Sequence, residues 1–406
     1  MSNIERRDVF DALAVRPSGR TALLGLAACV LAGTAAFAVG LRTGMELRAW
    51  QAFLVNLVYW TGLSCGAVMF SAVLIITKAN WGRSLKRLAE APVFFLPVAF
   101  LLFWLLYFGR HLLFPWIGEP LPEKAAWLNF GFMYFRQGAV FLLLSAAAMA
   151  MVFYGVRSDR RLLRQSRPDQ VEPDGRHQGA QMVYANIFGL CFGVLLSLIA
   201  FDLIMSLEPH WHSTLFGAYY FIGSFFSGIA ALIIMAFIAK RWLGLQDFIR
   251  PLHLHNLGKL LLGFCLLTAD FFYTQFFITW YGNLPEETHF VLERVRHLPW
   301  KPVAYLVLAV CFAIPFVILL SRRIKFNHGF MVGLCTLILA GMWMERFILI
   351  APSLWKAHDL PLGPLEVLIT VGFFGLVGLC VLVFVRHIPL LPVSDPLFWK
   401  GLNRKH

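Results

Sequence analysis

Between two long apolar runs, residues 201–225 read FDLIMSLEPHWHSTLFGAYYFIGSF. Asp202, Glu208, His210 and His212 fall within eleven residues, and Tyr219 and Tyr220 follow. Imidazoles and desolvated carboxylates accept protons near neutral pH. A quinol sheds a proton from each of two hydroxyls, so it needs acceptors of this kind and a path from them to water. The competing reading is an idle interfacial turn at Glu208-Pro209, with Ser213 capping the next helix. A second set of ionisable groups lies within apolar sequence: Arg136, Lys259, Asp270, Glu345, Arg346 and Glu366. Each costs roughly 2.5–3.5 kcal/mol at the centre of a bilayer, so each needs a partner or a task. Asp270 stands close to the middle of its run, and Glu345 and Arg346 project about 100° apart on a helix. Arg346 is expected to neutralise Asp270 or Glu366, as a structural pair or as part of a proton path. Arg136, at the start of its run, reads as an anchor snorkelling to the interface.

The chain that positions these groups has 406 residues, 59% hydrophobic and 14% charged. Lipid is the natural solvent for such a composition, because a helix crossing the ~30 Å hydrocarbon core needs ~20 apolar residues. Ten runs meet that length: about 21–41, 51–77, 91–113, 133–156, 183–207, 215–239, 257–281, 301–320, 329–351 and 363–386. They are too long and too evenly apolar for barrel strands. The expected fold is an all-α polytopic integral membrane protein with ten transmembrane helices over 21–386. An N-terminal segment, 1–20, and a C-terminal tail, 387–406, flank it.

A net charge of +13 invites a nucleic-acid reading, and its distribution removes it. Of 35 Lys and Arg, 24 fall on the loops of one side and 7 on those of the other. Under the positive-inside rule the rich side is cytoplasmic, which puts both termini there. Arg6-Arg7 and Phe10 hint at a twin-arginine signal, but no small-residue cleavage site follows. All seven cysteines lie in apolar runs, without a CxxC or CxxCH spacing. The twelve histidines fall in loops or at span ends, so no facing pair is available for an intramembrane haem. The expectation is that this chain binds no metal and no cofactor. Electrons taken from a quinol would then leave to a centre on another polypeptide.

A repeat recurs at an offset of 161 residues: Trp50, Tyr59, Gly62 and Trp81 return as Trp211, Tyr220, Gly223 and Trp242. An offset of four spans keeps both copies in one orientation, which implies two parallel four-helix bundles. They are spans 2–5 (51–207) and spans 6–9 (215–351), with spans 1 and 10 peripheral. Chance, helped by Trp and Tyr enrichment at interfaces, is the alternative. Gly62-xxx-Gly66 would admit a neighbouring backbone. Residues 157–182 read as a polar loop or docking arm, and 114–132 and 282–300 as ordered caps.

FDLIMSLEPHWHSTLFGAYYFIGSF, HNLGKLLLGF (255–264) and TQFFITWYGNLPEET (274–288) resemble the quinone-interacting membrane subunits of alternative complex III, in the NrfD-like (polysulfide-reductase membrane-subunit) superfamily. The likeness runs from the second span to about ERFILIAPSL (345–354) and is closest to the smaller, ActF-type subunit. It implies a haem-free subunit of a quinol:cytochrome c or other acceptor oxidoreductase in a bacterial inner membrane, with quinol as substrate and a role in proton translocation. Implied partners are a larger NrfD-like paralogue, multihaem and monohaem c-type cytochrome subunits, and an iron–sulfur molybdopterin-like subunit, with haem c and the clusters held by those partners. A secondary transporter built from parallel repeats and a purely structural scaffold are the alternatives. The transporter would favour broken helices in both halves, yet Pro92, Pro97 and Pro315 have no counterparts at the repeat positions.

Overall fold

The computed structural model describes residues 8–9, 19–118, 122–165 and 178–402. Arg6, Arg7, Phe10 and the middle of the polar stretch 157–182 lie outside them. Ten helices among the described residues are long and apolar enough to cross a membrane. They are α1 (Arg20–Gly40), α2 (Glu46–Ile76), α3 (Arg83–Leu105), α4 (Phe130–Gln165) and α5 (Gln178–Leu203), followed by α6 (Phe216–Trp242), α7 (Pro251–Gly282), α8 (Trp300–Leu320), α9 (His328–Leu354) and α10 (Pro364–His387). No strand occurs among the described residues. The chain is an all-α polytopic membrane protein.

Helices α2–α5 pack as one group of four and α6–α9 as a second. Helices α2 and α6, one from each group, meet along the seam. A Cβ on Gly66 would fall on the carbonyl oxygen of Ser224, and one on Gly228 would fall on the backbone of Gly66 and Ala67. Glycine at these positions lets the two backbones touch. Helices α1 and α10 lie outside both groups, packed along each other, with α10 also against α2. The face at which α1 begins and α10 ends is called the terminal face, and the opposite one the distal face.

Helix α3 differs most from the hydropathy reading, starting at Arg83 instead of near 91 and ending at Leu105 instead of 113. Its first turns are charged yet buried, because every charge there finds a partner. Arg87 pairs with Asp159 and with Glu90, and Ser71 donates to Glu90 at 2.6 Å. Arg83 reaches Asp395 at 2.8 Å, Lys86 reaches it at 3.5 Å, and the Ser394 hydroxyl donates to Asp159 at 2.6 Å. The segment after α10 is thereby latched to α3 and α4 on the terminal face. Burial pushes the Asp395 carboxyl up, but Lys86 and Arg83 override it and hold the group below the ordinary 3.8. A folded value below the unfolded one stabilises above the ordinary value, and that contribution is lost as pH falls through the folded value. The latch should therefore resist limited proteolysis from neutral pH down to about pH 5. Asp395→Asn should expose the segment to cleavage at neutral pH. Equal cleavage rates in both proteins would show that the ion pairs do not hold it.

On the distal face, the connection between α7 and α8 is not loop throughout. Residues Pro285–Val295 form a connecting helix, started by Pro285 at its first position. The connection between α3 and α4 makes short 3-10 turns at Pro115–Ile117 and Pro122–Lys124.

Candidate functional site

A cavity of about 600 Å³ lies on the distal side of the second bundle, among α6, α7, α8 and α9. Volume and lining suit a small organic ligand, since such sites run ~300–1,000 Å³ and are mostly apolar with few polar groups. Its floor is Cys265 on α7, Cys311 on α8 and Met342 on α9. Helices α7 and α8 meet at that level, where Cys265 Sγ donates to the Cys311 carbonyl at 3.6 Å.

The roof is built by the connecting helix and the α5–α6 loop. Phe290 stacks on Trp211 with ring centroids 3.7 Å apart and planes 5° from parallel. The Arg294 guanidinium sits 3.5 Å from the centroid of Phe290. Arg294 is 6% exposed and fastens the connecting helix to α9. Its Nε donates to the Ile348 carbonyl at 3.0 Å, and Nη2 to the Leu349 carbonyl at 3.0 Å and to Ser353 Oγ at 2.8 Å. Nη1 donates to the Phe290 carbonyl at 2.8 Å. Arginine carries five N–H groups, so one hydrogen on Nη1 has no acceptor in this set. Burial pulls the guanidinium down to about 9, with Glu208 acting against it, so Arg294 is still a cation at neutral pH. No carboxylate among the described residues lies within ion-pair distance of it.

Glu345 faces the cavity from α9 and is 3% exposed. The long Arg346 side chain curls back to it, donating from Nη1 to Oε1 at 3.0 Å. Nη1 also lies 2.8 Å from Oε2, yet Oε2 accepts no aligned hydrogen bond. Tyr219 lines the same wall and interacts with this carboxylate. Arg294 is held by carbonyls about one helical turn along α9 from Glu345, ~5.4 Å of axial rise. The cavity thus has an acceptor at one level and a cationic donor nearer the roof.

The other residues singled out in the sequence go elsewhere. Asp202 is wholly buried inside the first bundle and fully partnered. It accepts from Arg136 Nε and Nη2, both at 2.8 Å, from Trp127 Nε1 at 3.0 Å and from the Gln137 amide. Arg136 is therefore no interfacial anchor: it lies 3.8 Å from the centroid of Trp127 and closes a buried ion pair. Glu208 is half-buried near Arg294, and His210 and His212 are exposed, with His212 Nε2 3.9 Å from Glu287 Oε1. Ser213 caps nothing. Its hydroxyl donates to Gln275 at 3.3 Å, and α6 starts at Phe216 without a side-chain cap. Tyr220 turns to the seam and donates to the Val58 carbonyl at 2.8 Å.

The expected neutralisation of Asp270 or Glu366 by Arg346 is corrected as well. Glu366 stands at the distal start of α10 and is bound by Arg48 of α2 through two 2.8 Å hydrogen bonds. Asp270 is exposed on α7 at the edge of the cavity. Neither lies where Arg346 is held, between Glu345 and the Tyr220 ring 4.4 Å away. Sequence reasoning missed Arg294 and Phe290. The signal was present in PEETHFVLERV, whose apolar residues fall on one face of a helix, but the stretch is polar on average.

Ten membrane-length helices among the described residues thus enclose an apolar cavity that holds a buried carboxylate, one oxygen of which accepts no aligned hydrogen bond, and a buried cation. The chain belongs to the polysulphide reductase, NrfD family, which matches it over residues 42–356. The match spans α2 through α9, the two bundles, and omits α1 and α10. No curated protein matches the chain.

Proposed function

We propose that this chain is the quinone-interacting membrane subunit of a respiratory oxidoreductase, of the alternative complex III type, and that quinol is held in the cavity of the second bundle. The observation that carries this reading is Glu345: a buried carboxylate facing a mostly apolar cavity of quinol size, one oxygen of which accepts no aligned hydrogen bond. The ring of a para-quinol has an oxygen at each end. One hydroxyl meets Glu345 and gives up its proton, while the other oxygen faces the spare N–H of Arg294. Oxidation to the quinone releases two protons and two electrons. The electrons pass to haem c or iron–sulfur centres on partner subunits, and the protons leave towards Glu208 and water at the distal face.

The transporter reading would place its site where the two repeats meet. That seam is closed by backbone contact at Gly66 and Gly228. A photoreactive quinone added to the complex isolated through this chain should label cavity residues such as Phe276 or Ile348. Labelling confined to other subunits would overturn the assignment to this chain.

A further inference from the structure

We propose that the cavity is loaded sideways from the membrane, through a gap between α7 and the distal half of α8, with Asp270 on the rim receiving the head group as it enters. This rests on the quinol reading of the cavity.

The two helices pack together from the terminal face up to the cavity floor, along Ile314–Leu320 and as far as Ala309–Ala313. Above that level the Trp300–Leu308 part packs on α9 and on the connecting helix instead. The parting coincides with residues Ala309–Ala313, which are wound as a π-helix. A π turn carries extra backbone per turn, and such bulges cluster at functional sites.

Leu266 and Tyr273 on α7 and Leu308 on α8 line the cavity and are also 43%, 61% and 43% exposed on the outside of the bundle. Side chains that do both mark an opening. What lies outside it is apolar: the central stretches of α7 and α8 are only 17% and 22% buried, against 50% or more for the other helices of the two bundles. An isoprenoid tail therefore finds a continuous apolar path from the cavity to the bilayer.

Asp270 is the polar exception on that path. It is exposed and has no hydrogen bond or ion pair among the described residues. A diol crossing an apolar rim gives up hydration, and an acceptor partway restores one hydrogen bond. Asp270 is accordingly a positioning residue for entry. The proton acceptor inside remains Glu345.

The test uses the complex isolated through this chain, assayed with a long-tailed quinol and with a tail-less quinol of the same ring. Leu308→Trp narrows the gap, and Ala304→Phe serves the same purpose if the first fails to assemble. The long-tailed quinol should lose about tenfold more kcat/KM than the tail-less one. Asp270→Ala, which removes the acceptor, should lower kcat/KM about tenfold, with the loss in KM and not in kcat. Equal losses on both quinols, or no loss in assembled complexes, overturn the portal. Should Glu345→Gln leave turnover intact, the quinol reading itself fails, however the rim variants behave.

Discussion

Glu345→Gln should lower quinol-dependent turnover of the assembled complex by about a hundredfold or more, the usual contribution of a positioned general base. The substitution keeps the size of the side chain and an acceptor for Arg346, and removes the negative charge and with it the capacity to take a proton. KM should change little, because the cavity walls and the Arg294 roof are untouched. Turnover is read per assembled complex, because the change leaves Arg346 as a buried cation facing a neutral amide. Arg346 does lose its charge partner, and the double variant Glu345→Gln with Arg346→Gln controls for that. If the double variant recovers no turnover, the loss belongs to the carboxylate. A single variant that turns over normally with long-tailed quinol would remove the second bundle from the chemistry.

The second large effect is on stability. Asp202→Asn should destabilise the first bundle by about 3–5 kcal/mol, the range for removing one partner of a buried ion pair. Arg136 remains behind as a largely buried cation, with side-chain exposure of 12%, facing Trp127 and a neutral amide. Thermal unfolding in detergent reads this directly. Asp202→Asn combined with Arg136→Gln should cost less than the sum of the two single changes. Additive costs would mean that the pair is not coupled. Turnover per assembled complex should stay within about twofold of the parent, because Asp202 does not line the cavity.

Asp202 shows what one dimension hides. It is close in sequence to Glu208, His210, His212 and Tyr219, and together they look like one polar pocket. A chain leaving α5 and entering α6 passes from the first bundle to the second, so groups ten residues apart face different interiors. Asp202 points at α4, Tyr219 at α9, and the histidines at solvent. The spans themselves were legible, because hydropathy over twenty residues is a property of the local sequence. The start of α3 was not, since Lys86, Arg87 and Glu90 read as loop until Asp159 and Asp395 are seen beside them. Gly62 and Gly66 were legible as places of close approach, and both face Ser224 across the seam, whereas Gly223 faces Arg346 and Met342 of α9. Glu345 was flagged by its cost in lipid. That it borders a cavity depends on how α8 is wound, and no spacing reports that.

The latch on the terminal face also sets an order in time. Lys86 and Asp395 are 309 residues apart. At about 5–20 residues per second of synthesis, roughly 15–60 s separate the two. Through that interval Arg83 and Lys86 belong to a helix already made, and the carboxylate that neutralises them does not yet exist. Water, lipid phosphate or an insertion factor has to stand in for it. The first bundle therefore reaches its final packing late, when α10 is in place and Asp395 folds back under it.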